Sequence, residues 1–236
     1  MTSLSGEIDP RWLPVPDAGR FFEGVRRRVN NAVGSTRLKT VISGDSQGEE
    51  FSHYIGVDTD VRCVEPGGQE PRPVFPLFPG DPSLTSWWGL VHASFFRSVQ
   101  STYLKRMTLI VLEGSRIDQQ KQPLCRAEWD GYVIGDSTGH AQPHWHPYVP
   151  TSRIADQISL SIWDIDWFFD LNRDELIQRL ELLDEMRRLR HFHFAMASDF
   201  PNGARHSQAF ESGDRVALWT TECLKYIRRQ IRFLEN

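Results

Sequence analysis

Five of the eight histidines stand in two short segments of the chain. Imidazole is the side chain best suited to hold a divalent cation or to move a proton near neutral pH. The first segment reads Gly139-His140-Ala141-Gln142-Pro143-His144-Trp145-His146-Pro147. In an extended chain residues two apart share a face, so His144 and His146 are predicted to point together with Trp145 buried behind them. His140, on the preceding turn, is a candidate third ligand or general base. The second segment, Arg190-His191-Phe192-His193-Phe194, repeats the alternation. Pairing of that strand beside His144–Pro147 would gather four imidazoles; otherwise His191 and His193 decorate a helix C-terminus, where imidazolium is mildly favourable. Upstream, Arg126, Glu128 and Asp130 alternate with Ala127 and Trp129. Carboxylates and a guanidinium on one face suit acid/base work and anion binding. The alternative is an exposed cross-strand ion pair, worth well under ~1 kcal/mol.

The spacing also excludes chemistry. No GxxxxGK[ST] and no GxGxxG is present, so a nucleotide-cradling loop is not expected. Cys125 lies in an apolar run and reads as a small core residue rather than a nucleophile. Asp164 and Asp166, among Trp, Ile and Phe, read as turn or capping residues.

The run from Arg126 through Asp130 and His140 to Pro143, His144 and His146 resembles the TumE-like toxins of bacterial toxin–antitoxin operons. In that family a Tyr/Arg-rich strand ending in Asp precedes a Pro-His-x-His stretch. The resemblance implies a bacterial conflict or defence setting. His144, His146, Pro147, Ser152 and Asp156 are also similar to the JAMM-type metallopeptidases, with the Ser and Asp spacings shifted. Cupin, histidine-triad and two-histidine phosphoesterase patterns fail at the residues that follow each His pair.

These side chains need elements to position them. Phe21, Phe22, Val25, Val29 and Val33 recur every three or four residues and predict a helix over 20–33, ended by Gly34. Strands are expected at 37–43, 53–64, 108–113, 124–134 and 144–149. Trp88, Val91, Phe95 and Val99 fit helical spacing, so 84–100 is read as a helix. A further helix is expected at 173–190 and a strand at 191–196. A C-terminal helix over about 214–234 buries Val216, Trp219, Cys223, Leu224, Ile227, Ile231 and Leu234, with Lys225, Arg228, Arg229 and Arg232 outward. The whole predicts one α+β domain over 1–236, with a central mixed or antiparallel sheet. Residues 1–18 are an irregular lead-in and 65–83 a long Pro-rich loop.

Composition bounds the function. The chain has 236 residues, with 27 Lys plus Arg against 31 Asp plus Glu, a net charge of −4, which argues against a bulk polybasic binder but not a local basic groove. Three widely spaced cysteines argue against a disulfide framework and for a reducing, cytoplasmic setting. The N-terminus lacks a signal-peptide pattern, and the most apolar stretch, 154–171, is broken by Asp156, Asp164, Asp166 and Asp170, so no membrane partner is expected. Together these features point to a phosphodiester hydrolase that cleaves nucleic acid. His144, His146, His140, His191 and His193 are its candidate ligands for a divalent metal such as Zn or Mn. Arg126, Glu128, Asp130 and His140 are its candidate catalytic groups. The alternative is a non-catalytic adaptor that binds a protein partner or a second copy through Trp87, Trp88 and the Pro-rich loop.

Overall fold

A computed structural model describes residues 8–35, 37–43, 49–57, 61–64, 70–117, 121–131, 143–147 and 210–235. The fold is α+β, with an antiparallel sheet as its centre. In chain order the elements are β1 (Leu13–Val15), α1 (Ala18–Val33), β2 (Lys39–Ser43), β3 (Glu50–Gly56), β4 (Arg62–Val64), β5 (Pro71–Pro73) and β6 (Phe75–Pro76). After a 3-10 turn (Pro82–Leu84) come β7 (Trp87–Arg97), β8 (Thr102–Glu113), β9 (Gln122–Trp129), β10 (His144–Pro147) and α2 (Gly213–Leu234). The main sheet runs β10-β9-β8-β7-β3-β2. β1 pairs with β8 beyond the end of β9, and β6 pairs with β7 beyond the end of β3. β4 and β5 form a separate two-stranded hairpin.

One face of the sheet carries both helices. Phe22, Val25 and Val29 of α1 and Cys223, Leu224, Ile227 and Ile231 of α2 are fully buried against Val91, Leu109, Val111, Cys125 and Ala127. Full burial of each large apolar side chain contributes about 1.5–3 kcal/mol. Asp17 caps α1 by accepting from the Arg20 amide at 2.7 Å, and Gly34 ends it in the left-handed region at φ 73°. On β7, a Cβ at Gly89 would come within 2.7 Å of the Phe75 ring, so only glycine lets β6 close on the sheet there.

The opposite face is divided. Its lower half is a second apolar cluster of Tyr54, Val61, Cys63, Val74, Trp88, Leu90, Ile110 and Leu112, roofed by the β4–β5 hairpin. Its upper half is polar and holds the residues considered below.

The expected helix at 84–100 is a strand. β7 is buried on both faces near its start, so apolar residues fill positions of both parities and the period-2 signal vanishes. Trp87 and Trp88 are 4% and 3% exposed, so this pair is part of the core and not of the surface. The lead-in forms β1 from 13 onward. The Pro-rich stretch is likewise not one continuous loop. Pro71–Pro73 and Phe75–Pro76 are strands, and Val74, Phe75, Leu77 and Phe78 are core. The expected strand at 53–64 divides into β3 and β4. Arg228 does not face solvent: its guanidinium donates to the Ala32 carbonyl in the last turn of α1 and lies 5.0 Å from the centre of the Phe78 ring. The helix expected at 173–190 and the strand at 191–196 lie outside the described residues. No helix among the described residues is long and apolar enough to cross a membrane.

Candidate functional site

The polar half of the sheet is built by register. Tyr54 of β3, His92 of β7, Thr108 of β8, Glu128 of β9 and His144 of β10 are successive cross-strand partners. Ser52, Ser94 and Arg106 form the next row, and Ile110, Arg126 and His146 the row on the other side. Cross-strand neighbours sit about 5 Å apart, so each row is a line of neighbouring register positions.

Glu128 is the centre of this half. Its side chain is 5% exposed, with Arg106 Nε 3.0 Å from Oε1 and Arg126 Nη2 2.9 Å from Oε2. Both carboxylate oxygens therefore accept from guanidinium groups. The two arginines remain 50% and 31% exposed. A buried carboxylate thus holds two partly exposed cations in fixed places, an arrangement suited to an incoming polyanion. Its oxygens are engaged by arginine, so Glu128 fits a positioning role and not that of a metal ligand. Asp130 follows the last residue of β9 and is partly exposed.

Two positions along the row, beyond Thr108, is a group that the sequence did not single out. His92 Nε2 lies 3.1 Å from Ser52 Oγ, and the His92 ring stacks on Tyr54 at 4.6 Å with an 8° interplanar angle. Burial, aided by the charges of Arg72 and Arg106, pushes the His92 imidazole down to about 4. It is neutral at physiological pH. The signal lay in the period-2 spacing Leu90-His92-Ser94, which the helical reading of that segment hid. His53, on the helix face, is different: phenyl rings of Phe22, Phe51 and Phe95 enclose it at 5.1–5.5 Å, and burial lowers its pKa. It is a core residue.

His144 and His146 occupy the register positions opposite Glu128 and Arg126, one strand away. His140, His191 and His193 lie outside the described residues. Among the described residues no cluster of three or more His, Cys, Asp or Glu side chains is placed to hold a metal ion. Cys125 and Cys223 are buried where α2 meets the sheet, and burial pushes the Cys125 thiol up to about 12, which suits a core residue and not a nucleophile. Compared with family models, curated proteins and solved structures, the chain finds no match in any of the three.

Proposed function

We propose that the chain is a phosphodiester hydrolase acting on nucleic acid, with the polar half of the sheet as its site. The observation that carries this reading is the buried Glu128 carboxylate holding Arg106 and Arg126 beside the strand that bears His144 and His146. The two guanidinium groups would bind the scissile phosphate and offset charge developing on it. His144 and His146 would supply imidazoles to a divalent cation, Zn or Mn, with His140 as a further ligand or general base. Such a cation would lower the pKa of a bound water and so provide the nucleophile. Asp130 would accept a proton or orient an imidazole. The similarity of the Arg126–His146 stretch to the TumE-like toxins favours an effector role in a bacterial defence or toxin system.

The test is hydrolysis of bis(4-nitrophenyl) phosphate and of end-labelled RNA and DNA, with and without a chelator, by the wild type and a His144→Ala/His146→Ala variant. Turnover that the chelator abolishes and the double variant lowers at least ~100-fold is expected, the scale of losing a metal-activated water. A folded wild type that cleaves none of these substrates, or a double variant with full activity, would overturn the reading.

A further inference from the structure

At the β2 edge of the same face, a cleft of about 270 Å³ lies between the sheet and the β4–β5 hairpin. Val41 and Ser43 of β2, Tyr54 of β3, and Arg62, Arg72 and Pro73 of the hairpin are among its walls. Arg72 is fixed from two sides. Its Nη1 donates to Ser43 Oγ at 3.0 Å, and its guanidinium carbon lies 4.9 Å from the centre of the Tyr54 ring. Glu70 approaches Arg72 at 3.3 Å, but its own side chain is 74% exposed, so this pair is a weak surface contact that a stronger anion can displace. Among the described charged residues of its lining, Arg62 and Arg72 stand with Glu70.

The cleft lies on the same face of the sheet as the proposed hydrolytic site. Tyr54, which Arg72 covers, begins the row that runs through His92 and Thr108 to Glu128. From β3 to β9 are three strand steps of about 4.8 Å each, roughly 14 Å. A stacked nucleic-acid strand advances ~3.4 Å per nucleotide, so the two arginine pairs are about four nucleotides apart. The described residues between them in that row, His92 and Thr108, are not acidic. The cleft volume sits just below the ~300 Å³ at which pockets accept drug-sized ligands, enough for one phosphate with its sugar.

We propose that this cleft is a second phosphate-binding subsite, taking the backbone of a single-stranded nucleic acid whose scissile phosphate lies at Arg106 and Arg126. The inference rests on the hydrolase reading for its substrate class, but its test measures binding alone. Anisotropy of labelled oligothymidylates of 3 and 12 nucleotides, of a 12-base-pair duplex and of an oligoglutamate peptide is followed at two salt concentrations. The 12-mer strand is expected to bind at least ~10-fold more tightly than the 3-mer and than the duplex or peptide. Arg62→Ala is expected to weaken 12-mer binding ~5-fold and to reduce the salt slope by about one. Glu70→Gln, which removes the competing carboxylate, is expected to strengthen it. Equal affinity for both lengths, or indifference of the 12-mer to both substitutions in folded protein, would overturn the subsite, as would preference for the peptide. If the 12-mer binds as expected and no substrate is cleaved, the subsite stands and the hydrolase reading falls. If short substrates are cleaved and Arg62→Ala binds the 12-mer as wild type does, the subsite falls and the hydrolase reading stands.

Discussion

Glu128 and His92 are polar groups in places that apolar residues usually fill, and each makes stability depend on charge in its own way. Truncating Glu128 removes the carboxylate that Arg106 and Arg126 share from opposite sides of its row. Both arginines keep some contact with water, so the loss is smaller than for a sealed ion pair. Glu128→Ala is expected to cost about 1–3 kcal/mol in urea unfolding, and Glu128→Gln less, because the amide oxygen still accepts one guanidinium. An unchanged unfolding midpoint in Glu128→Ala would show that the carboxylate does not hold the two cations. His92 acts through protonation. Its folded pKa of about 4 lies below the ordinary 6.5, so the unfolded chain binds the extra proton first. Stability from this residue is fully present above pH 6.5, falls as the pH drops towards 4, and levels off below. The loss is on the order of 3 kcal/mol, most of it from burial and the rest from the charges of Arg72 and Arg106. His92→Gln should flatten the difference between pH 7 and pH 4 relative to wild type. An identical pH profile in the variant would mean that burial does not suppress the charge on this ring.

Elements divide into those with one buried face and those with two. α1 and α2 were legible because each buries a single stripe, and both begin and end within two residues of the positions their periodicity implies. β9 was legible from its alternation: Cys125, Ala127 and Trp129 share the helix-covered face, while the polar Arg126 and Glu128 share the other. β7 was not, because both its faces are covered and a run such as Trp87-Trp88-Gly89-Leu90-Val91 satisfies helical and extended spacing alike. The misreading had a cost at the site, since His92 and Ser94 lost their place in the polar rows. The prolines at 71, 73 and 76 hid strands for a different reason. Pro71 and Pro73 belong to a short two-stranded hairpin, where a missing amide donor is tolerated. The outward side of α2 also escaped the pattern, because Arg228 has a long stem and its charged end reaches across to α1. There it serves as a cap, donating to the Ala32 carbonyl at the negative end of the helix while stacking on Phe78. Arg228→Ala is expected to lower stability by about 1–2 kcal/mol. Arg228→Lys should recover the charge but not the planar stacking, and so only part of the loss. Thermal or urea unfolding of the two variants checks this, and equal stability of Arg228→Ala and wild type would exclude the cap.

On the scale of the whole molecule, one sheet separates two cores that differ in size, and the three cysteines sample both. Cys125 and Cys223 are buried where α2 seals the larger core, and Cys63, on β4 of the hairpin itself, is buried in the smaller one. A thiol reagent reacts with thiolate, so each cysteine is reached only when its cover opens. Opening the larger core means lifting α2 with Val216, Leu224, Ile227 and Ile231, all fully buried. Opening the smaller one means lifting two strands of three residues each, next to the cleft in which a nucleic-acid strand is proposed to sit. Local openings draw on the least-packed parts of a fold, and ligand-binding segments come from that low-stability end. In native buffer Cys63 is therefore expected to be labelled at least ~10-fold faster than Cys125 or Cys223, with the latter two exposed together at the global unfolding transition. Mass spectrometry of digests after timed labelling resolves the three sites. Saturating 12-mer oligothymidylate should slow Cys63 alone, because a bound strand holds the hairpin against the sheet. Labelling of Cys223 ahead of Cys63 would place the weak point of the molecule at α2 instead, and would leave the hairpin as rigid as the sheet it covers.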